Sequence, residues 1–214
     1  MLVIFDCDGV LVDSELVSNR VLAEAFTDLG HPMTTEESIH HFMGRSSTHL
    51  HERGAELLGR PLPEGFYEAY VDRRDEVFLT ELEAVEGIAD AVDALHAAGI
   101  STCVASSGTH RKMRLTLGLT GLWERFDGRI YAAAEVEHGK PAPDLFLHAA
   151  RSEGFEPADC TVVEDAPAGV AAARAAGMRV LAYAGMTDPA LLRDADTVFG
   201  SMHELPALVL DGRR

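Results

Sequence analysis

From Val85 onward the chain repeats one grammar: a short apolar run of strand length, then a helical pattern closed by glycine. Ile88–Ala98 has helical periodicity and stops at Gly99, Ser101–Ala105 is a strand-length run, and His110–Leu117 returns to helix. Gly128–Ala132 predicts a short strand, Ala142 to about Glu153 a helix, and Cys160–Val163 another strand. Ala166–Ala176 predicts a helix with Gly177 as its C-cap, and Arg179–Tyr183 and Thr197–Phe199 are the last predicted strands. Apolar runs without alternation belong to strands buried on both faces. Interleaved with helices, they specify a parallel sheet covered on both sides. Leu2-Val3-Ile4-Phe5 is one more such run and joins the same sheet.

Asp13 to about Leu82 follows a different rule, with helix patterns and no convincing strand. Ser14 is placed to cap a helix running to about Leu29, which Gly30 would stop. Thr34 or Thr35, followed by Glu36 and Glu37, predicts a second helix start. Helices near 46–58 and 64–79, broken by Arg60-Pro61-Leu62-Pro63, complete the segment. The expected architecture is a three-layer, Rossmann-like α/β core of residues 1–13 and 84–214, with residues 14–83 as an inserted helical domain.

Composition narrows the partners. A net charge of −17 repels nucleic acid and anionic membrane surfaces, and no apolar run approaches the ~18–20 residues of a membrane span. The opening apolar run lacks a basic flank and a small-residue cleavage site, so no signal peptide is expected. Three scattered cysteines (Cys7, Cys103, Cys160) do not make a disulfide framework and fit a reducing cytoplasm. A monomer or weak homo-oligomer is expected. Lysine is scarce, only Lys112 and Lys140 against sixteen arginines, so each invites a question.

In open parallel sheets the site lies at the carboxyl ends of the strands. Those ends carry Asp6 and Asp8, then Ser106 and Ser107, then Lys140 after the Gly128–Ala132 strand, then Glu164 and Asp165. Several carboxylates at one crevice repel each other, and a divalent cation removes the conflict. Oxygen ligands without a His/Cys cluster favour a hard ion, Mg²⁺ above Zn²⁺. A carboxylate can act as nucleophile through an aspartyl-phosphate, and a second carboxyl two residues on can shuttle the proton. A lysine and a hydroxyl can hold the equatorial phosphate oxygens.

Four segments together carry a resemblance to a known family. They are Asp6-Cys7-Asp8-Gly9-Val10-Leu11-Val12-Asp13-Ser14-Glu15, Val104-Ala105-Ser106-Ser107-Gly108, Gly139-Lys140-Pro141-Ala142-Pro143-Asp144, and Val162-Val163-Glu164-Asp165-Ala166-Pro167-Ala168-Gly169. In order and spacing they resemble the haloacid dehalogenase superfamily of phosphotransferases, in its β-phosphoglucomutase-like branch. The resemblance implies that Asp6 is nucleophile and metal ligand, and that Asp8 is general acid/base and a ligand through its carbonyl. It implies that Ser106, with Ser107 beside it, and Lys140 bind the transferring phosphoryl group. Asp165 is then a metal ligand and Glu164 a ligand or its neighbour, with Mg²⁺ as cofactor. The helical insert resembles the family's small cap, which closes over the site and excludes water.

Asp8 and the Glu164-Asp165 pair argue against dehalogenation, because dehalogenases proper lack them. The branch holds both sugar-phosphate phosphatases and mutases. The mutases carry a histidine five residues past the position of Asp13, and this chain has Ser18 there. That departure favours water as acceptor, and so a phosphatase of small phosphorylated sugars or sugar acids. The alternatives are a phosphosugar mutase and a non-catalytic sugar-phosphate binder. In the cap, Arg45 and Arg74 are candidate substrate contacts, with a surface ion pair as the rival role for each.

Simpler roles compete for several residues. Asp8-Gly9 alone is a common turn, and its glycine stands at the wrong place for an EF-hand. Ser106 and Ser107 could begin a turn or cap the next helix, Lys140 could be an ordinary surface lysine, and Asp165 could cap the helix at Pro167. Lys112 reads as a solvated helix residue and Cys7 as packing. His40-His41 and His49-x-His51 invite a zinc reading without a supporting pattern. Trp123 and Phe126 are expected to dock a helix end onto the core.

Overall fold

The computed structural model describes residues 1–44 and 47–211. The chain divides into two compact units, one of Met1–Val12 with the chain from Glu83 onward, the other of Asp13–Leu82.

Strand β1 (Leu2–Phe5) opens the first unit. The second unit holds α1 (Glu15–Asp28), α2 (Thr35–Phe42), α3 (Ser47–Leu58) and α4 (Phe66–Glu81). The chain then alternates through α5 (Ile88–Ala97), β2 (Ser101–Ser106), α6 (His110–Leu119), α7 (Trp123–Phe126), β3 (Ile130–Ala132) and α8 (Asp144–Glu153). It ends with β4 (Cys160–Glu164), α9 (Pro167–Ala175), β5 (Arg179–Tyr183), β6 (Thr197–Phe199) and α10 (Leu205–Asp211). The six strands form one parallel sheet in the order β3-β2-β1-β4-β5-β6. This is the α/β arrangement expected from the sequence. Strand β1 lies in the middle, between β2 and β4, and its fully buried Leu2–Phe5 run fits a strand covered on both faces.

Side chains alternate across the sheet. Leu2 and Ile4 join Phe146, Ala149, Val170 and Ala173 in one core beneath α8 and α9. On the other face Phe5 meets the Phe126 ring edge-on at 5.8 Å. Each fully buried aliphatic or aromatic side chain contributes roughly 1.5–3 kcal/mol. Phe126 therefore docks as expected, whereas Trp123 is only half-buried and lies under the Arg114 guanidinium at 5.1 Å. Helix α10, which packs against α5, was not expected from the sequence: it has only seven residues with a proline at the second position, although Ser201 and Glu204 form a capping box just before it.

The helical unit is built around Phe26, which stacks on Phe42 at 5.4 Å and meets Phe66 edge-on at 5.5 Å. Helix α2 starts with the capping box expected there: Thr34 Oγ1 accepts from the Glu37 N–H, and Glu37 accepts from the Thr34 N–H. Ser14 precedes α1 but does not cap it, since its own backbone is already helical and its hydroxyl makes no cap bond. Asn19 is buried and accepts from the Ser38 hydroxyl at 2.9 Å, tying α1 to α2.

Candidate active site

The site begins where β1 ends. The Asp6 N–H donates to the Val163 carbonyl at 2.9 Å, so Asp6 continues the ladder by one residue beyond the strand. The chain then turns back on itself: the Leu11 and Val12 N–H groups both donate to the Cys7 carbonyl, at 2.9 and 3.1 Å. Gly9 makes this turn with a φ of +75°, a conformation glycine adopts without strain. A Cβ at Gly9 would also lie 2.1 Å from Asp165 Oδ2, so the glycine lets Asp165 approach the turn.

Strands β2 and β4 flank β1, and their ends bring Ser106 and Glu164 to the same edge. Lys140 reaches it from the loop before α8. Its ammonium donates to Asp6 Oδ1 at 2.6 Å and to Glu164 Oε1 at 2.7 Å. The Lys140 side chain is only 6% exposed, so it is no ordinary surface lysine. Glu164 Oε2 accepts from the Asp165 and Ala166 N–H groups, both at 2.9 Å. Its carboxylate rests against Gly169 of α9, where a Cβ would meet Oε1 at 1.7 Å. The residue capping α9 is Ala166, which leaves the Asp165 side chain outside the cap.

Burial, against the pull of the Lys140 charge and with Glu164 and Asp8 adding to it, pushes the Asp6 carboxyl up to about 7. Burial alone would depress the Lys140 ammonium, but the Asp6 and Glu164 carboxylates override it and hold it above its ordinary value. Burial, with Asp8 and Asp6 nearby, raises the Cys7 thiol well above its usual range. Cys7 therefore stays a protonated packing residue, its Sγ 3.9 Å from Thr116 Oγ1.

Oxygens of Asp6, Glu164 and Asp165 lie within 4.8 Å of one another. The donor set is all oxygen, and three carboxylates share this corner with one buried ammonium, that of Lys140. Both properties fit a hard divalent cation. Among the described residues this is the only such group of three or more, and the histidines of the helical unit form none. His49 Nε2 instead lies 3.1 Å from the His41 carbonyl.

Ser106 is buried and its Oγ accepts from the Gly108 N–H at 3.1 Å, while Ser107 is exposed. Thr109, not either serine, caps α6. Arg74 is buried within the helical unit, its Nη2 donating to Asp75 at 2.6 Å and its guanidinium over the Tyr70 and Phe78 rings. Arg45 lies outside the described residues.

Sequence reasoning missed Lys112. It is not a solvated helix residue: its ammonium lies 2.7 Å from Asp8 Oδ1, with the two side chains 19% and 18% exposed. The one available signal was the scarcity of lysine. Both lysines of the chain reach a carboxylate of the Asp6-Cys7-Asp8 segment.

The chain is similar in sequence and fold to known proteins. Residues 1–177 match the family model of haloacid dehalogenase-like hydrolases. The 6-phosphogluconate phosphatase of Escherichia coli is 31% identical over 212 residues, covering 96% of this chain and 93% of the relative. A conserved haloacid dehalogenase-like protein of unknown function from Agrobacterium tumefaciens superposes with a TM-score of 0.88 at 31% identity, covering 100% of this chain and 99% of that one. A family hydrolase from Deinococcus radiodurans, solved with bound phosphate and sodium, superposes with a TM-score of 0.82 at 32% identity, covering 98% and 95%. The chain belongs to the haloacid dehalogenase-like hydrolase family. Within that family it is a phosphoric monoester hydrolase. Among the described residues no helix is long and apolar enough to cross a membrane.

Proposed function

We propose that the chain is a Mg²⁺-dependent phosphatase of small phosphorylated sugars or sugar acids that works through a phosphoryl group carried on Asp6. The observation that carries this reading is Asp6 itself, a buried carboxylate at the end of the central strand with a lysine 2.6 Å from its Oδ1.

An Asp6 oxygen attacks phosphorus, and the bond from phosphorus to the ester oxygen breaks. The leaving oxygen takes a proton from the Asp8 carboxyl and departs as the alcohol. A water oxygen then attacks phosphorus, gives its proton to the Asp8 carboxylate, and the bond from phosphorus to Asp6 breaks. The net change is ester plus water to alcohol plus phosphate. Lys140 and the Ser106 hydroxyl hold phosphoryl oxygens, where charge accumulates in the transition state. Glu164 is a brace: with Oε1 on Lys140 and Oε2 on two backbone N–H groups, it fixes the lysine. Asp6, Asp165 and the Asp8 carbonyl would hold Mg²⁺, which when bound neutralises phosphoryl charge that this acidic site otherwise repels.

The substrate class rests on the likeness to a 6-phosphogluconate phosphatase, which supports a sugar acid or sugar phosphate. Ser18, where the branch's mutases carry histidine, supports water as the acceptor. The test is phosphate release from a panel of sugar phosphates, with and without magnesium, for the wild type and Asp6→Asn. Unchanged turnover in Asp6→Asn would remove the nucleophile, and conversion of a sugar 1-phosphate to its 6-phosphate faster than phosphate release would make the chain a mutase.

A further inference from the structure

We infer that Lys112 is a positioning residue for Asp8, holding the carboxyl in the orientation that delivers a proton to the leaving oxygen. The inference rests on the acid/base reading of Asp8 given above.

Helix α6 is fixed against the Asp6-Cys7-Asp8 segment. Met113, Thr116 and Leu117 are fully or almost fully buried, and Thr116 Oγ1 lies 3.9 Å from Cys7 Sγ. Lys112 stands one turn before Thr116, so both share a helix face. The face that meets Cys7 through Thr116 therefore meets the next residue, Asp8, through Lys112. The helix start is itself secured, because the Thr109 hydroxyl accepts from the Lys112 N–H at 3.2 Å. Neither end of the 2.7 Å contact between Lys112 and Asp8 is free to wander as an exposed pair would.

The contact also orients. Lys112 takes Asp8 Oδ1, while Oδ2 lies on the side of Gly108. A Cβ on Gly108 would stand 3.5 Å from Ser106 Oγ, 3.7 Å from Asp8 Oδ2 and 3.8 Å from the Lys112 stem, so these groups share one corner. One carboxyl oxygen is thus anchored by charge, and the other lies on the side of Gly108, two residues past the serine assigned to the phosphoryl group. The compact ammonium of lysine makes such a contact with one oxygen, where a guanidinium fork would tend to take both.

The test uses the full chain with magnesium and compares wild type, Lys112→Met, Lys112→Gln and Asp8→Asn. Substrates run from 4-nitrophenyl phosphate, whose leaving group needs little protonation, to alkyl phosphates, which need it most. The readout is kcat/KM, which reports transfer to Asp6 and not the later attack by water. Lys112→Met is expected to keep 4-nitrophenyl phosphate hydrolysis within about threefold and to lose about 10²-fold on alkyl phosphates, the scale of a misplaced catalytic group. Lys112→Gln, which keeps a donor, should fall between them. Asp8→Asn should show the same slope with a loss of roughly 10²–10⁴ on alkyl phosphates. The 4-nitrophenyl rate serves as the folding control. An equal loss on every substrate, or a rise in KM alone, overturns the Lys112 inference while a steep Asp8→Asn slope preserves Asp8. A flat Asp8→Asn series overturns the Asp8 reading and the inference with it.

Discussion

Lys140 Nζ sits 2.6 Å from Asp6 Oδ1, deep enough that only 6% of the lysine side chain is exposed. The same ammonium is 2.7 Å from Glu164 Oε1, so one cation serves two buried carboxylates. Lys140→Met should cost about 3–5 kcal/mol at neutral pH, because it leaves buried charge without its partner. Without the lysine the folded Asp6 carboxyl holds a proton that the unfolded chain releases, so stability recovers toward low pH. Urea unfolding at pH 7.5 and 5.5 measures this. An equal loss at both values would mean that the lysine is not neutralising Asp6 and Glu164.

Asp6 titrates near 7 when burial opposes its charge, against 3.8 in an unfolded chain. Between those values the folded state holds the proton and the unfolded state does not, so this group's contribution to stability falls as pH rises. A metal that binds the carboxylate must displace that proton at low pH but not above 7. Magnesium should therefore raise the melting temperature more at pH 8 than at pH 5.5. Thermal unfolding with and without MgCl₂ at both pH values decides it; an identical shift would take Asp6 out of the ligand set.

Gly169→Ala would ordinarily stabilise a helix interior by roughly 0.5–1 kcal/mol. Here the new methyl would meet Glu164 Oε1 at 1.7 Å, so the sign reverses. Overpacking of about 1–3 kcal/mol is expected, a fall in melting temperature of roughly 2–12 °C for a chain of this size. Turnover should fall as well, since moving Glu164 moves Lys140. A more stable, fully active variant would show that the brace is dispensable.

Arg74→Ala should act first on the helical unit. It removes a buried guanidinium that pairs with Asp75 and lies over two aromatic rings, with an expected cost of about 1–3 kcal/mol. Melting temperature together with KM on a sugar phosphate separates packing from substrate contact: a stable variant with a raised KM would make Arg74 a substrate residue.

The sheet was legible because its strands are short, apolar throughout and separated by capped helices, which leaves few ways to bury them. The positions of Asp6, Ser106 and Glu164 at adjacent strand ends follow from that order, since parallel strands put all their carboxyl ends on one edge. Boundaries were less legible. The predicted strand from Gly128 shortened to Ile130–Ala132, and α10 went unread because it is only seven residues long, despite the Ser201–Glu204 capping box before it.

The α/β core, the order of its strands' polar ends and the family to which the four motifs point were all legible in the chain. Those are properties of local runs and their spacing. How the charges pair emerges only when the elements pack. Glu164 became a brace for Lys140 because Gly169 leaves room for its carboxylate. Lys112 became the partner of Asp8 because α6 packs its Thr116 face against Cys7, and no periodicity in Arg111-Lys112-Met113 records which carboxylate that face will meet.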